Sequence, residues 1–402
     1  MRKMIKYGFI LILLSGFLLS CEKEISTEQE HSFIKFYGSY LMDQAGELEA
    51  LANGGYAICG TETTESGGKR MVLIVTDEFG NVQSGFPKYY TEEGLETGGS
   101  SLIALQGGSG GYLLSGYIEK PVEGSQDVQK DIFVVRTTSN GSMTWQRSYG
   151  SYKDEEVHHS VEMLKSGYLL AGSRITDGKS DIMIMGVTEE GDSLRLGLNY
   201  NNPYAQNSTA AYLISGGDKY ICVCTFDKVN SEGTGIQVLT FDDELSPLAK
   251  NLSGEFNEYG MCILEEGSGS YLVLGNRENS TGASELVLYG IETDGLLITN
   301  SRLNANIGSR GSDLIGEKII KTSSGGLAIV GTAQSGTDSE VMLQFLSSSY
   351  VVGEQVLYGA SGAQTGQDLE LSDDDGLMVL GTNSAGGSSI ISLMKTNERG
   401  EI

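Results

Sequence analysis

The densest concentration of reactive side chains is YKDEEVHH at 152–159, which holds two of the three histidines in the chain. Imidazoles and carboxylates so close together suggest a metal centre, but such a centre needs ligands that converge. Neighbouring residues on a strand point to opposite faces, so at most one of His158 and His159 is expected to face a common cavity. No metal site is therefore expected. Tyr152, Asp154 and His159 are better suited to anchoring the hydroxyls or cation of a ligand. Tyr204 and Tyr259, in other variable polar loops, would stack on a sugar or pack on a protein partner.

Other chemistries find less support. The acidic turns Asp77-Glu78, Glu189-Glu190, Asp242-Asp243-Glu244 and Asp373-Asp374-Asp375 lack the alternating ligands of a calcium loop, and aspartate suits a turn by bonding its own backbone. Cys59, Cys222, Cys224 and Cys262 have neither zinc nor disulfide spacing, so they are expected as small buried apolar residues. No Gly-x-Ser-x-Gly elbow occurs between a strand and a helix. Sugar hydrolysis would need two carboxylates facing each other, which no spacing in the chain reveals. No catalytic residue and no cofactor is assigned. A formal net charge of −26 disfavours nucleic acid as a partner.

What must position these residues is a repeat. The phrase NGGYAICG returns as SGGYLLSG, and its final residue recurs at Gly60, Gly116, Gly172, Cys224, Gly275, Gly331 and Gly381. The intervals are 56, 56, 52, 51, 56 and 50 residues. A second phrase follows each copy, as in DIFVVRTTSNGSM, where an apolar run enters an Asp/Asn/Ser/Gly turn. A third carries an aromatic and often a glycine (FIKFYG, WQRSYG, QVLYG) and is degraded in the middle copies. A fourth, such as SLIALQ, precedes the first.

Four short strands per unit without a helical period predict an all-β fold, a seven-bladed β-propeller with four antiparallel strands (A to D) per blade. FIKFYG, at the start, is a D strand without its A, B and C, and the last unit stops after C. The N-terminal strand is thus expected to complete the last blade and close the ring. Within the phrase, the leading glycines would make the A–B turn and the final one would let the chain leave a four-residue strand. The A–B and C–D turns are short and stereotyped, while the D–A and B–C connections vary. Binding is expected on that variable face.

The N-terminus has Arg2, Lys3 and Lys6, then an apolar run over 7–19 and a small residue before Cys21. This order predicts a secretory signal peptide over 1–20, too short to span a bilayer. Leu18-Leu19-Ser20-Cys21 resembles the lipobox of bacterial lipoproteins, which implies lipidation of Cys21; residues 21–32 would form a polar tether ahead of a single propeller domain, 33–402. The cadence GGY-apolar-apolar-(A/S)G, D-I-apolar and W-x-x-x-Y-G resembles the seven-bladed propeller repeat lipoproteins of Bacteroidetes. That resemblance implies the fold and the cell envelope, with no activity.

The expected function is a membrane-anchored binding or scaffold module of the bacterial cell envelope. As an outer-membrane lipoprotein, on the periplasmic face or the cell surface, it would recognise a protein or glycan through the D–A/B–C face. The alternative is an envelope hydrolase or lyase acting on carbohydrate through channel-facing carboxylates.

Overall fold

The structure is a computed structural model that describes residues 32–402 except 106–109, 123, 126, 152, 201–206, 229–232, 253–256 and 309–312, with backbone alone at 195–200 and 335. The signal segment, Cys21 and nearly all of the tether lie outside the described residues, as do Tyr152 and Tyr204.

The described residues form 28 strands. Strand β1 (Phe33–Tyr37) stands apart from the sheets that follow it in sequence. The first sheet is β2 (Gln44–Ala50), β3 (Tyr56–Thr63), β4 (Lys69–Thr76) and β5 (Lys88–Tyr90). The second is β6 (Thr97–Ala104), β7 (Tyr112–Pro121), β8 (Val128–Thr137) and β9 (Met143–Tyr149). The third is β10 (Asp154–Glu162), β11 (Tyr168–Thr176), β12 (Lys179–Val187) and β13 (Ser193–Tyr200). The fourth is β14 (Ser208–Gly216), β15 (Lys219–Asp227), β16 (Thr234–Phe241) and β17 (Leu248–Asn251). The fifth is β18 (Glu258–Gly267), β19 (Ser270–Glu278), β20 (Ser284–Asp294) and β21 (Leu297–Ile307). The sixth is β22 (Leu314–Lys321), β23 (Leu327–Ser335), β24 (Asp338–Leu346) and β25 (Val352–Tyr358). The seventh holds β26 (Ala363–Leu371), β27 (Leu377–Ala385) and β28 (Ser388–Thr396), and β1 pairs antiparallel with β28, Phe33 opposite Lys395.

Five of these are separate four-stranded antiparallel sheets, and a parallel bridge, Ser339 opposite Ala363, joins the sixth and seventh into one sheet of eight strands; the four-stranded units are the blades of a β-propeller. Their second and third strands are apolar without alternation because both faces are covered: all eight residues of β3 are buried. Buried apolar side chains gather in seven clusters among the described residues, each between consecutive sheets. One of them sets Met378, Leu380, Ile391 and Leu393 of the seventh sheet against Leu48, Tyr56, Ile58 and Val72 of the first.

The glycine-rich phrase has a different geometry at its two ends. Its leading glycines turn at positive φ as expected (Gly54 at 81°, Gly167 at 92°). The final glycine does not end the strand, because β7 runs on to Pro121 and β11 to Thr176. It sits mid-strand, where the innermost strand presses on it. A Cβ on Gly172 would lie 1.8 Å from the Glu156 carbonyl oxygen, and one on Gly116 2.0 Å from that of Gly98. The residue is small because two backbones approach there. In the fourth sheet Cys224 takes this place, opposite Ala210.

The cysteines are buried and free, as their spacing suggests, and the Cys222 and Cys224 sulfurs lie 3.6 Å apart on one face of β15. Two of the acidic turns bond their own backbone as expected: the Asp77 carboxylate accepts the amides of Phe79 (3.0 Å) and Asn81 (2.8 Å), and that of Asp242 accepts the Glu244 amide (2.9 Å).

Candidate binding site

The pressing of the two backbones is one half of a device that builds a cavity. In every sheet the innermost strand slips register opposite that glycine position, between Gly99 and Ser101, Val157 and His159, Ala210 and Tyr212, and at matching places in the others. A bulge places an extra residue and re-aims its side chain. The extra residues include Ser100, His158, Met261, Glu317 and Gln367, and the next position supplies Glu47, His159, Tyr212, Lys318 and Asp368. All of them line one cavity of about 440 Å³, to which the innermost strand of each of the seven sheets contributes. That volume is in the range of small-molecule pockets. The bulge also defeats strict alternation: His158 and His159 both line the cavity.

Its charged groups are arranged in pairs. The Glu47 carboxylate accepts hydrogen bonds from the Ser101 hydroxyl (2.6 Å) and the Leu102 amide (2.7 Å), and lies 2.8 Å from His159 Nε2. Burial works to raise the Glu47 pKa, but His159, Lys318 and the Ser101 hydroxyl together hold it below the usual value. The His159 ring stacks on Tyr212 with centroids 3.8 Å apart. Lys318 Nζ lies 2.6 Å from Asp368 and 2.8 Å from Glu370. Burial opposes its charge, yet Asp368, Tyr212 and Glu370 keep the lysine protonated well beyond its ordinary range. Burial pushes Asp368 upward, with Lys318 pulling the other way.

At the rim, Lys130 pairs with Glu156 at 2.6 Å and lies over the Tyr117 ring, 4.6 Å from its centre. Glu317 differs from the other cavity carboxylates. It has no hydrogen bond or ion pair among the described residues, and burial alone raises its pKa to about 7. Beneath the cavity Glu49 is pushed up to about 9 by burial, then by Glu47 and Glu370.

Of the residues singled out from sequence, His159 lies in this cavity. Asp154 does not: it accepts the Lys130 amide of the preceding sheet at 2.9 Å. Asn207, Asn257 and Asp313 stand at the same place in their sheets and accept the amides of Ser180 (3.0 Å), Thr234 (3.2 Å) and Ser284 (2.9 Å). Asp154 is thus one of a series of ties between sheets. Tyr259 lines a separate pocket of about 320 Å³ beside His158 and Asn207, its hydroxyl 3.3 Å from Glu278.

The sequence reading missed Glu47, Tyr212, Glu317, Lys318 and Asp368. A signal was available: Glu47, His159, Cys262, Lys318 and Asp368 each stand 13 residues before the residue that ends the repeated phrase. No group of three or more His, Cys, Asp or Glu able to hold a metal ion occurs among the described residues.

No family model and no curated protein matches the chain. Solved structures do. Semaphorin 1a of Drosophila, extracellular domains 1–2, is 10% identical over 90% of this chain and 88% of its own, with a TM-score of 0.55. Drosophila Plexin A in complex with Semaphorin 1b gives 10% identity, 90% and 86% coverage, and a TM-score of 0.52. At this identity the likeness shows the fold alone, a β-propeller.

Proposed function

We propose that the protein is a binding module of the bacterial cell envelope, recognising a glycan or protein partner through the D–A/B–C face, into which the axial cavity opens. The observation that carries this reading is the paired state of the cavity's ionic groups. Glu47, His159, Lys318 and Asp368 hold one another in fixed positions, so polar groups are displayed without a cost of reorganisation on binding. The ring is closed by β1 as the fourth strand of the last blade, a reading supported by its pairing with β28 and by the shared core of the first and seventh sheets. Lipidation of Cys21 would hold the module at the membrane, in keeping with the lipobox-like residues 18–21.

A second reading, a carbohydrate hydrolase, draws support from one feature. Glu317 is raised and Glu47 is held low in one cavity, which is how environments divide acid and base roles. The first is preferred because Glu47 is already engaged by two donors and His159, which leaves it poorly placed to take a proton.

The test is capture of envelope glycans and proteins by the purified protein beside Tyr117→Ala/Gln367→Ala, with Phe36→Ala on the outer edge as control. Binding lost in the double variant, at unchanged melting temperature, supports the reading. Binding unchanged in the double variant overturns it.

A further inference from the structure

We infer that the axial cavity takes a ligand bearing a primary ammonium on a hydroxyl-rich ring of about hexosamine size, with Glu317 as the counter-charge. This rests on the reading of the D–A/B–C face as a binding surface and specifies what it accepts.

The argument starts from charge. The cavity has two lysines, and both are taken: Lys130 by Glu156 and Lys318 by Asp368 and Glu370. His159 is committed to Glu47. An anionic ligand would therefore find no free lysine in the described lining of the cavity. Glu317 is left over, a lining carboxylate with no bond to any described residue. Its elevated pKa shows the same deficit, since a nearby cation would lower it. A neutral ligand would leave this carboxylate desolvated and bare, whereas an ammonium supplies the missing partner through a charge-assisted hydrogen bond.

Size and polarity narrow the class further. About 440 Å³ is far more than an ammonium group requires, and Tyr212 and Met261 offer an apolar wall that suits the C–H face of a sugar ring. Two further atoms of lining residues, His159 Nδ1 and Gln367 Oε1, are buried without a hydrogen-bond partner among the described residues. Buried polar atoms in native structures are normally satisfied, so the lining is left with hydrogen-bonding capacity that its own residues do not use. A bare metal ion is disfavoured because the described residues hold no group of ligands for it.

The experiment is calorimetric titration of the purified protein with glucosamine, N-acetylglucosamine, glucose and the tripeptide Gly-Gly-Lys, repeated on Glu317→Gln. Glucosamine should bind about tenfold more tightly than the other two sugars, the scale of one charge-assisted hydrogen bond. Glu317→Gln, which breaks no hydrogen bond or ion pair with a described residue, should erase that preference at an unchanged melting temperature. Equal binding of the three sugars overturns the ammonium assignment and leaves the binding face standing. So does a preference that survives in Glu317→Gln. Binding of the peptide without glucosamine overturns the sugar and assigns the ammonium to a protein. If none of the probes binds while envelope capture still depends on Tyr117 and Gln367, the cavity inference fails alone. If capture fails as well, the proposed function falls with it.

Discussion

His159 shows how one backbone irregularity alters the chemistry of a site. Read as part of an ideal strand, the pair His158-His159 would offer one imidazole to a cavity. The extra residue of the bulge brings both to it and sets His159 against Glu47 and Tyr212. Bulges have no local sequence signature here, so a single copy could not reveal one. Comparison of all seven copies at the position of Glu47 and Lys318 could have, since function varies there while the surrounding phrase repeats. The same neighbourhood carries a pH dependence. Glu49 has a folded pKa near 9, far above that of an unfolded glutamate, so the native state retains its proton over a range where the unfolded chain releases it. The stability linked to this group is full below about pH 4.5 and declines as pH rises towards 9. Thermal melts of the native protein should therefore show a falling midpoint between pH 5 and pH 9, and Glu49→Gln should flatten that fall. A native profile that rises across this range would refute the assignment.

At the scale of strands, the third repeated phrase owes its aromatic to a specific bond. Tyr90 of β5 donates its hydroxyl to the Gly141 carbonyl in the next sheet's C–D turn at 2.8 Å, and Tyr149 of β9 does the same to Gly191 at 2.6 Å. Tyr37 of β1 reaches Gly80 at 2.7 Å, and Tyr358 of β25 reaches Gly400. Each acceptor is a glycine at positive φ, so its carbonyl is turned towards the neighbouring sheet. The middle copies look degraded in sequence because β17 and β21 contain no tyrosine to make the tie. The phrase was visible from sequence, but not its partner, because the bond spans 42 to 51 residues and links two different repeats. Tyr90→Phe removes a buried hydroxyl and strands a carbonyl, so it should cost about 1 kcal/mol in denaturant unfolding. Phe substitution at Tyr149, in another pair of sheets, should add to it almost independently.

At the scale of the whole molecule, the repeat made the architecture legible and left the site obscure for the same reason. Seven copies of the phrase, from GYAICG at 55–60 to GLMVLG at 376–381, encode seven similar sheets, whereas the cavity gathers between one and five residues from each at places where the copies differ. The seam between first and last sheets, where β1 pairs with β28, can be tested directly. Deleting 33–37 would bare the edge of β28 from Ile391 to Lys395, including its buried Ile391 and Leu393, and remove the tie from Tyr37. Exposed edges recruit other strands. The shortened protein should melt at a lower temperature and form dimers or larger species on size exclusion, while a monomer with unchanged stability would show that the edge strand is dispensable.

The pairing of Phe33 with Lys395 also bears on how the protein is made. The first described strand leaves the ribosome long before β28, its strand partner among the described residues. Six sheets can assemble from local chain as it emerges, but the seventh is complete only once β28 has emerged to take up β1. A chain arrested or clipped ahead of β28 would carry six sheets with β1 left unmatched, a form that quality-control proteases are well suited to detect.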